Sequence, residues 1–216
     1  MIFKLCILSL VFASAFAGFC VDLWRAEELT RETGRCLVKN NVTRAVVEMS
    51  DEKAKINSNF IKSYVDLLAV GIKDIDASII VLDRLNPEQV CNNVAANLPA
   101  FFTGIVWLNV LKGDALWTDS IENRMSYLEG LVNACSKFNI RTGISTSPDD
   151  WESTMGDVSA TSTSLTKLPL WYDDNHSNNQ DFHDYNTFGG WNTPAMKEFQ
   201  IDQFLCDMYI SGYNHF

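Results

Sequence analysis

Strand-like and helix-like stretches alternate along most of this chain, and that alternation restricts the fold more than any single motif. "FCVDLW" (19–24) reads as a strand and "AEELTRETGRCLVKN" (26–40) as the helix after it. "RAVVEMS" (44–50) is a second strand, "INSNFIKSYVDLLAVG" (56–71) an amphipathic helix stopped by Gly71, and "DIDASIIVLD" (74–83) a third strand. "NPEQVCNNVAANL" (86–98) carries Pro87 at a helix start, where its missing N–H is harmless. "TGIVWLNVL" (103–111), "DSIENRMSYLEGLVNACSKFN" (119–139), "RTGIST" (141–146) and "SPDDWESTMG" (147–156) continue the series as strand, helix, strand and short helix. Alternation of this kind means parallel strands joined by helical crossovers, so the candidates are a doubly wound sheet or a barrel. After residue 157 the pattern decays into "SATSTSLTK" and then into aromatic, turn-rich sequence.

The N-terminus addresses the compartment. Lys4 precedes the apolar run "LCILSLVFASAFA", which ends with Ala15 and Ala17 in A-x-A spacing. This is the pattern of a secretory signal peptide over residues 1–17, and the run is too short to span a bilayer. The expected mature chain is then one domain over 18–216, secreted and extracellular. A net charge of −10 argues against nucleic acid or an anionic membrane as partner, since both need a basic face. The expected protein is a monomer.

Several catalytic classes lack their residues. No G-x-G-x-x-G follows a strand and no G-x-S-x-G occurs, so neither a dinucleotide site nor a serine hydrolase elbow is expected. The histidines, His176, His183 and His215, lie in the C-terminal quarter without helical ligand spacing, and no C-x-x-C exists. No metal and no cofactor are expected. If the chain is a barrel, chemistry sits where strands end, and the polar groups there are Asp22, Glu48, Asp51, Asp83, Asn109, Asp114, Asp173 and Asp174. A ring of carboxylates at one mouth suits glycoside hydrolysis, where one acid protonates the leaving group and another stabilises or attacks the sugar.

"VDLW", "VWLNV", "NIRTGISTSPDDWESTMG" and "LPLWYDDN…FGGW…MKEF" occur in this order along the chain. Together they resemble the invertebrate secreted lysozymes of glycoside hydrolase family 25. The resemblance implies an α/β fold of the irregular (β/α) TIM-like barrel kind, cleavage of peptidoglycan in active members, and a role in antibacterial defence or bacterial digestion. Family members carry an Asp on the first strand, W-L-D-x-E on the fourth and a V-D pair on the last. This chain keeps Asp22, but its fourth strand reads Trp107-Leu108-Asn109-Val110-Leu111, and Ile210-Ser211 aligns with the V-D pair. Leucine has no proton to give, so muramidase activity is expected to be impaired or lost, while the Asn109 amide can still hold a sugar by hydrogen bonds. Trp107, Asn109, Tyr172, Asp173 and Trp191 are the expected contacts to peptidoglycan or a related glycan. The alternative is a working muramidase with relocated acids, Asp114 taking the place of the missing Glu.

Five cysteines remain after residue 17, and an oxidising compartment favours disulfides. In a closed barrel the first and last strands are neighbours, which predicts a Cys20–Cys206 bond. Cys91 and Cys135, on adjacent helices, form a second pair and leave Cys36 as the odd thiol. Asn41-Val-Thr and Asn175-His-Ser are glycosylation sequons.

Overall fold

A computed structural model of the chain describes residues 19–23, 29–174 and 181–215. The proposed signal segment and Asn175 lie outside the described residues. The order of elements is β1 (Phe19–Leu23), α1 (Arg31–Lys39), β2 (Val42–Ser50), α2 (Phe60–Val70), β3 (Asp74–Ile80), α3 (Pro87–Asn97) and β4 (Val106–Asn109). There follow α4 (Ile121–Lys137), β5 (Thr142–Thr146), α5 (Pro148–Met155), β6 (Leu170–Asp173), β7 (Met196–Leu205) and β8 (Met208–His215). Strands β1 to β7 run parallel, and β8 returns antiparallel to both β7 and β1, closing an eight-stranded barrel. The α/β barrel expected from the sequence is the fold observed. No helix among the described residues is long and apolar enough to cross a membrane.

Local chemistry fixes the element ends. Helix α1 begins at Arg31, later than its pattern suggested, because the Thr30 side chain accepts from the Thr33 N–H. Asn86 caps α3 ahead of Pro87, and Ser147 caps α5 ahead of Pro148. Gly71 ends α2 in the left-handed conformation at φ 105°, as a C-cap glycine should.

The strands bury both faces, which is why so many read as continuous apolar runs. Outward side chains such as Ala45, Val47, Ala77, Ile79, Val106 and Leu108 pack under the helices. Inward ones form a separate plug of Cys20, Val46, Trp107, Trp171 and Met196. Trp107 and Trp171 meet edge to face at 5.8 Å, a favourable aromatic geometry. Below the plug, the Asp76 carboxylate accepts from the Ile105 N–H, the Trp107 indole and Arg44.

The C-terminal region is where the sequence was silent, and it supplies three strands. Only loop and a short 3₁₀ turn at Leu165–Lys167 separate α5 from β6, and no helix lies between β6 and β7 among the described residues. Hairpin β7–β8 turns at Cys206 and Asp207, both at positive φ (55° and 62°). That is the backbone of a primed two-residue turn, built here without the Asn-Gly signature that makes such turns legible.

This hairpin overturns the expected Cys20–Cys206 bond. Cys20 stands in register with Tyr213, well along β8 from the turn that carries Cys206. Cys20 is a free thiol buried in the plug, and burial pushes its pKa up. Cys206 instead bonds Cys36 on α1, so Cys36 is not the odd thiol. The Cys91–Cys135 bond between α3 and α4 is present as expected.

Candidate functional site

Strand alternation builds the site on top of the plug. Two residues beyond each plug member on the same strand face stand Asp22 on β1, Glu48 on β2, Asn109 on β4, Asp173 on β6 and Glu198 on β7. The C-terminal end of a parallel barrel is where its loops open and its chemistry gathers. Asp22 and Glu198 are each 9% exposed and Glu48 7%. The sequence reading found four of these five positions. It missed Glu198, because "MKEF" hides its strand period: Lys197, facing away from the lumen, is itself fully buried.

Beside the ring opens a cavity of about 480 Å³ at the ends of β4, β5 and β6, lined by Leu111, Lys112, Asp149, Asp150, Tyr172 and Asp173 among others. Asp150 is structural here. It accepts from the Lys112 N–H at 3.0 Å and from the Ser147 hydroxyl at 2.8 Å, so it ties the end of β4 to the start of α5. Lys197 holds the β6 side: its ammonium lies 3.1 Å from Asp174 and 2.5 Å from Asp184, and it donates to the Asp181 carbonyl. The Tyr172 ring, 5.9 Å from that ammonium, packs edge to face against Tyr185 at 5.1 Å. Burial pushes the Tyr172 phenol up to about 12.

The predicted contacts divide cleanly. Asn109, Tyr172 and Asp173 stand at the mouth. Trp107 is 1% exposed in the plug, with its indole on Asp76, and cannot touch a ligand at the mouth. Trp191 is 3% exposed, packed on Trp151 at 5.0 Å with its indole on the Leu168 carbonyl. Both tryptophans are packing residues; a large aromatic on a barrel strand or beside a glycine pair fills space first. Asp114 lies exposed in a turn and does not line the cavity. Asn41 is exposed, at φ 63° between α1 and β2.

The β4 end is the chemical oddity. Asn109 Oδ1 is buried and has no hydrogen-bond partner among the described residues. Leu111 is half-buried on the cavity wall, its carbonyl taken by the Trp117 indole at 2.7 Å. A strand that ends this way carries a half-buried amide and an apolar surface, and no acid. Among the described residues no cluster of His, Cys, Asp or Glu is arranged to hold a metal.

The family model for lysozyme-like protein 1 matches residues 13–199. The chain belongs to that family. It is a lysozyme-like protein of the glycoside hydrolase family 25 type, as its motifs implied. Relatives of this lysozyme-like chain include the probable GH family 25 lysozyme 3 of Dictyostelium discoideum, 25% identical over 93% of this chain, of whose length the match spans only 42%. Probable GH family 25 lysozyme 5 of the same organism is 24% identical over 89% of this chain and 88% of its own. The bacterial lysozyme from Streptomyces coelicolor shares the fold at a TM-score of 0.73, covering 93% of each chain at 10% identity.

Proposed function

We propose that this lysozyme-like protein is secreted and binds peptidoglycan or a related glycan at the barrel mouth, with muramidase activity impaired or absent, in antibacterial defence or bacterial digestion. The observation that carries this reading is the end of β4. Asn109 is half-buried at the strand end, and a side-chain amide can exchange hydrogen bonds with a sugar hydroxyl or acetamido group. Leu111 occupies the wall where the family resemblance asks for a proton donor, and a leucine cannot protonate a glycosidic oxygen. Asp22, Glu48, Asp173 and Glu198 still line the mouth with acceptors for sugar hydroxyls. The signal-like N-terminus and two disulfides support an oxidising, extracellular setting.

Two measurements on purified mature protein test the reading together. Sedimentation with insoluble peptidoglycan should deplete the protein from solution, and a wall suspension should keep its turbidity. Clearing of the suspension would overturn the inactive reading and favour a working muramidase. Failure to sediment would overturn the binding reading.

A further inference from the structure

The β7–β8 hairpin does more than close the barrel. Its last two cross-strand pairs are Phe204 with Tyr209 and Leu205 with Met208, ahead of the turn at Cys206 and Asp207. Successive residues of a strand face opposite ways, so the two pairs occupy opposite faces of the hairpin. Leu205 and Met208 pack against the core, and the Cys206–Cys36 bond fastens the turn to α1. Phe204 and Tyr209 are 65% and 68% exposed, more than any other large apolar side chain among the described residues. Their rings meet at 5.4 Å and 69°, an edge-to-face corner on the outer surface. Neither ring lines the cavity at the mouth. Asp207 is exposed in the adjoining turn. An aromatic pair left in water, on a tip cross-linked to the barrel, offers contact area with little ordering cost on binding.

We propose that Phe204 and Tyr209 form a second glycan contact, on which a pyranose ring of the wall polymer stacks. Size and charge select this occupant. Two aromatic side chains cover roughly 300–500 Å² between them, whereas a stable protein partner needs roughly 800 Å² a side, so the patch is too small to hold a second copy of the chain. A bilayer of anionic lipid is repelled by a chain of net charge −10 with Asp207 in the turn itself. A sugar needs only an area of this size. Its C–H face lies on the negative face of an aromatic ring, and the hydroxyls around its rim can donate to the Asp207 carboxylate. The contact does not depend on the reading of the mouth. Where both hold, one insoluble wall engages two sites of the same molecule, and attachment tightens through effective concentration.

The test is NMR titration of the full mature chain with soluble peptidoglycan fragments, following the ring protons of Phe204 and Tyr209 and the side-chain amide of Asn109. Saturable shifts at the two rings are expected, and they should persist in Asp173→Asn. Phe204→Thr with Tyr209→Thr changes exposed positions to another strand-forming residue. This double variant should sediment with insoluble peptidoglycan about tenfold more weakly, a loss of avidity, and should keep the Asn109 shift. Tyr209→Phe retains the ring and should bind as the parent does. Shifts at Asn109 with both rings unmoved would overturn this proposal and leave the mouth reading standing; shifts at the rings with Asn109 unmoved would do the reverse. A dimer in analytical ultracentrifugation that the double variant loses would assign the rings to a second copy and overturn the proposal. Co-sedimentation with phosphatidylglycerol vesicles that the double variant loses would assign them to a membrane, with the same consequence.

Discussion

The two sides of the barrel mouth have been treated differently. Around β1, β2, β6 and β7 the inward positions above the plug are Asp22, Glu48, Asp173 and Glu198. On β4 the same level carries Asn109, with Leu111 beyond it. Yet β4 is as well built as its neighbours: Trp107 fills the lumen and Val106 and Leu108 pack under the helices. The residues that hold β4 in the sheet are not those that would do chemistry at its end. A strand can therefore lose an acid at its tip with little consequence for the barrel, because the tip is held by backbone bonds and by Asp150 and Trp117 on neighbouring segments.

That contrast can be broken from either side. The largest effect is expected on the acid-rich side. Lys197→Ala should strip Asp174 and Asp184 of their buried cation and destabilise the protein by about 3–5 kcal/mol. Chemical denaturation measures this, and a loss below about 1 kcal/mol would mean that the carboxylates re-solvate freely.

On the β4 side, Asn109→Asp with Leu111→Glu should raise wall-lytic activity by about 100-fold over the parent, the lower range of general acid catalysis. Leu111 is only half-buried on the cavity, so a glutamate there keeps access to water and the variant should fold. A folded but inert double variant would show that the rest of the groove has diverged too.

Smaller still is the effect of single groups on binding. Asp173→Asn should weaken sedimentation with peptidoglycan about tenfold, near 1.4 kcal/mol, while Asp114→Asn, outside the cavity, should leave it unchanged. An equal loss from both would remove the distinction between mouth and turn.

At neutral pH the last prediction has no effect. Burial raises the phenols of Tyr127, Tyr172 and Tyr185 to about 12 from an ordinary 10.0. A group whose folded pKa is raised stabilises fully below its unfolded value and loses that contribution as pH climbs through the folded one. Stability should thus fall between pH 10 and about 12, with tyrosinate absorbance from these rings appearing late. Tyr172→Phe should remove part of that alkaline sensitivity without weakening the fold at pH 7.

The chain by itself determined the βα units up to α5, the positions of Asp22, Glu48, Asn109 and Asp173, and a fourth strand that ends on an amide and a leucine; its alternation allowed a doubly wound sheet or a barrel, and the family resemblance implied the barrel. These are legible because strand period, helix caps and the order of motifs are local properties of the chain. Tertiary structure alone decided the rest. The indoles of Trp107 and Trp191 went to packing because their partners, Asp76 and the Leu168 carbonyl, lie far off in sequence. Glu198 joined the mouth because β7 pairs with β6 and β8, and Lys197 is buried beneath it against the carboxylates of Asp174 and Asp184. Cys206 found Cys36 because β8 runs antiparallel and its turn uses two non-glycine residues at positive φ. Each of these turns on which distant groups meet, and no local pattern encodes that.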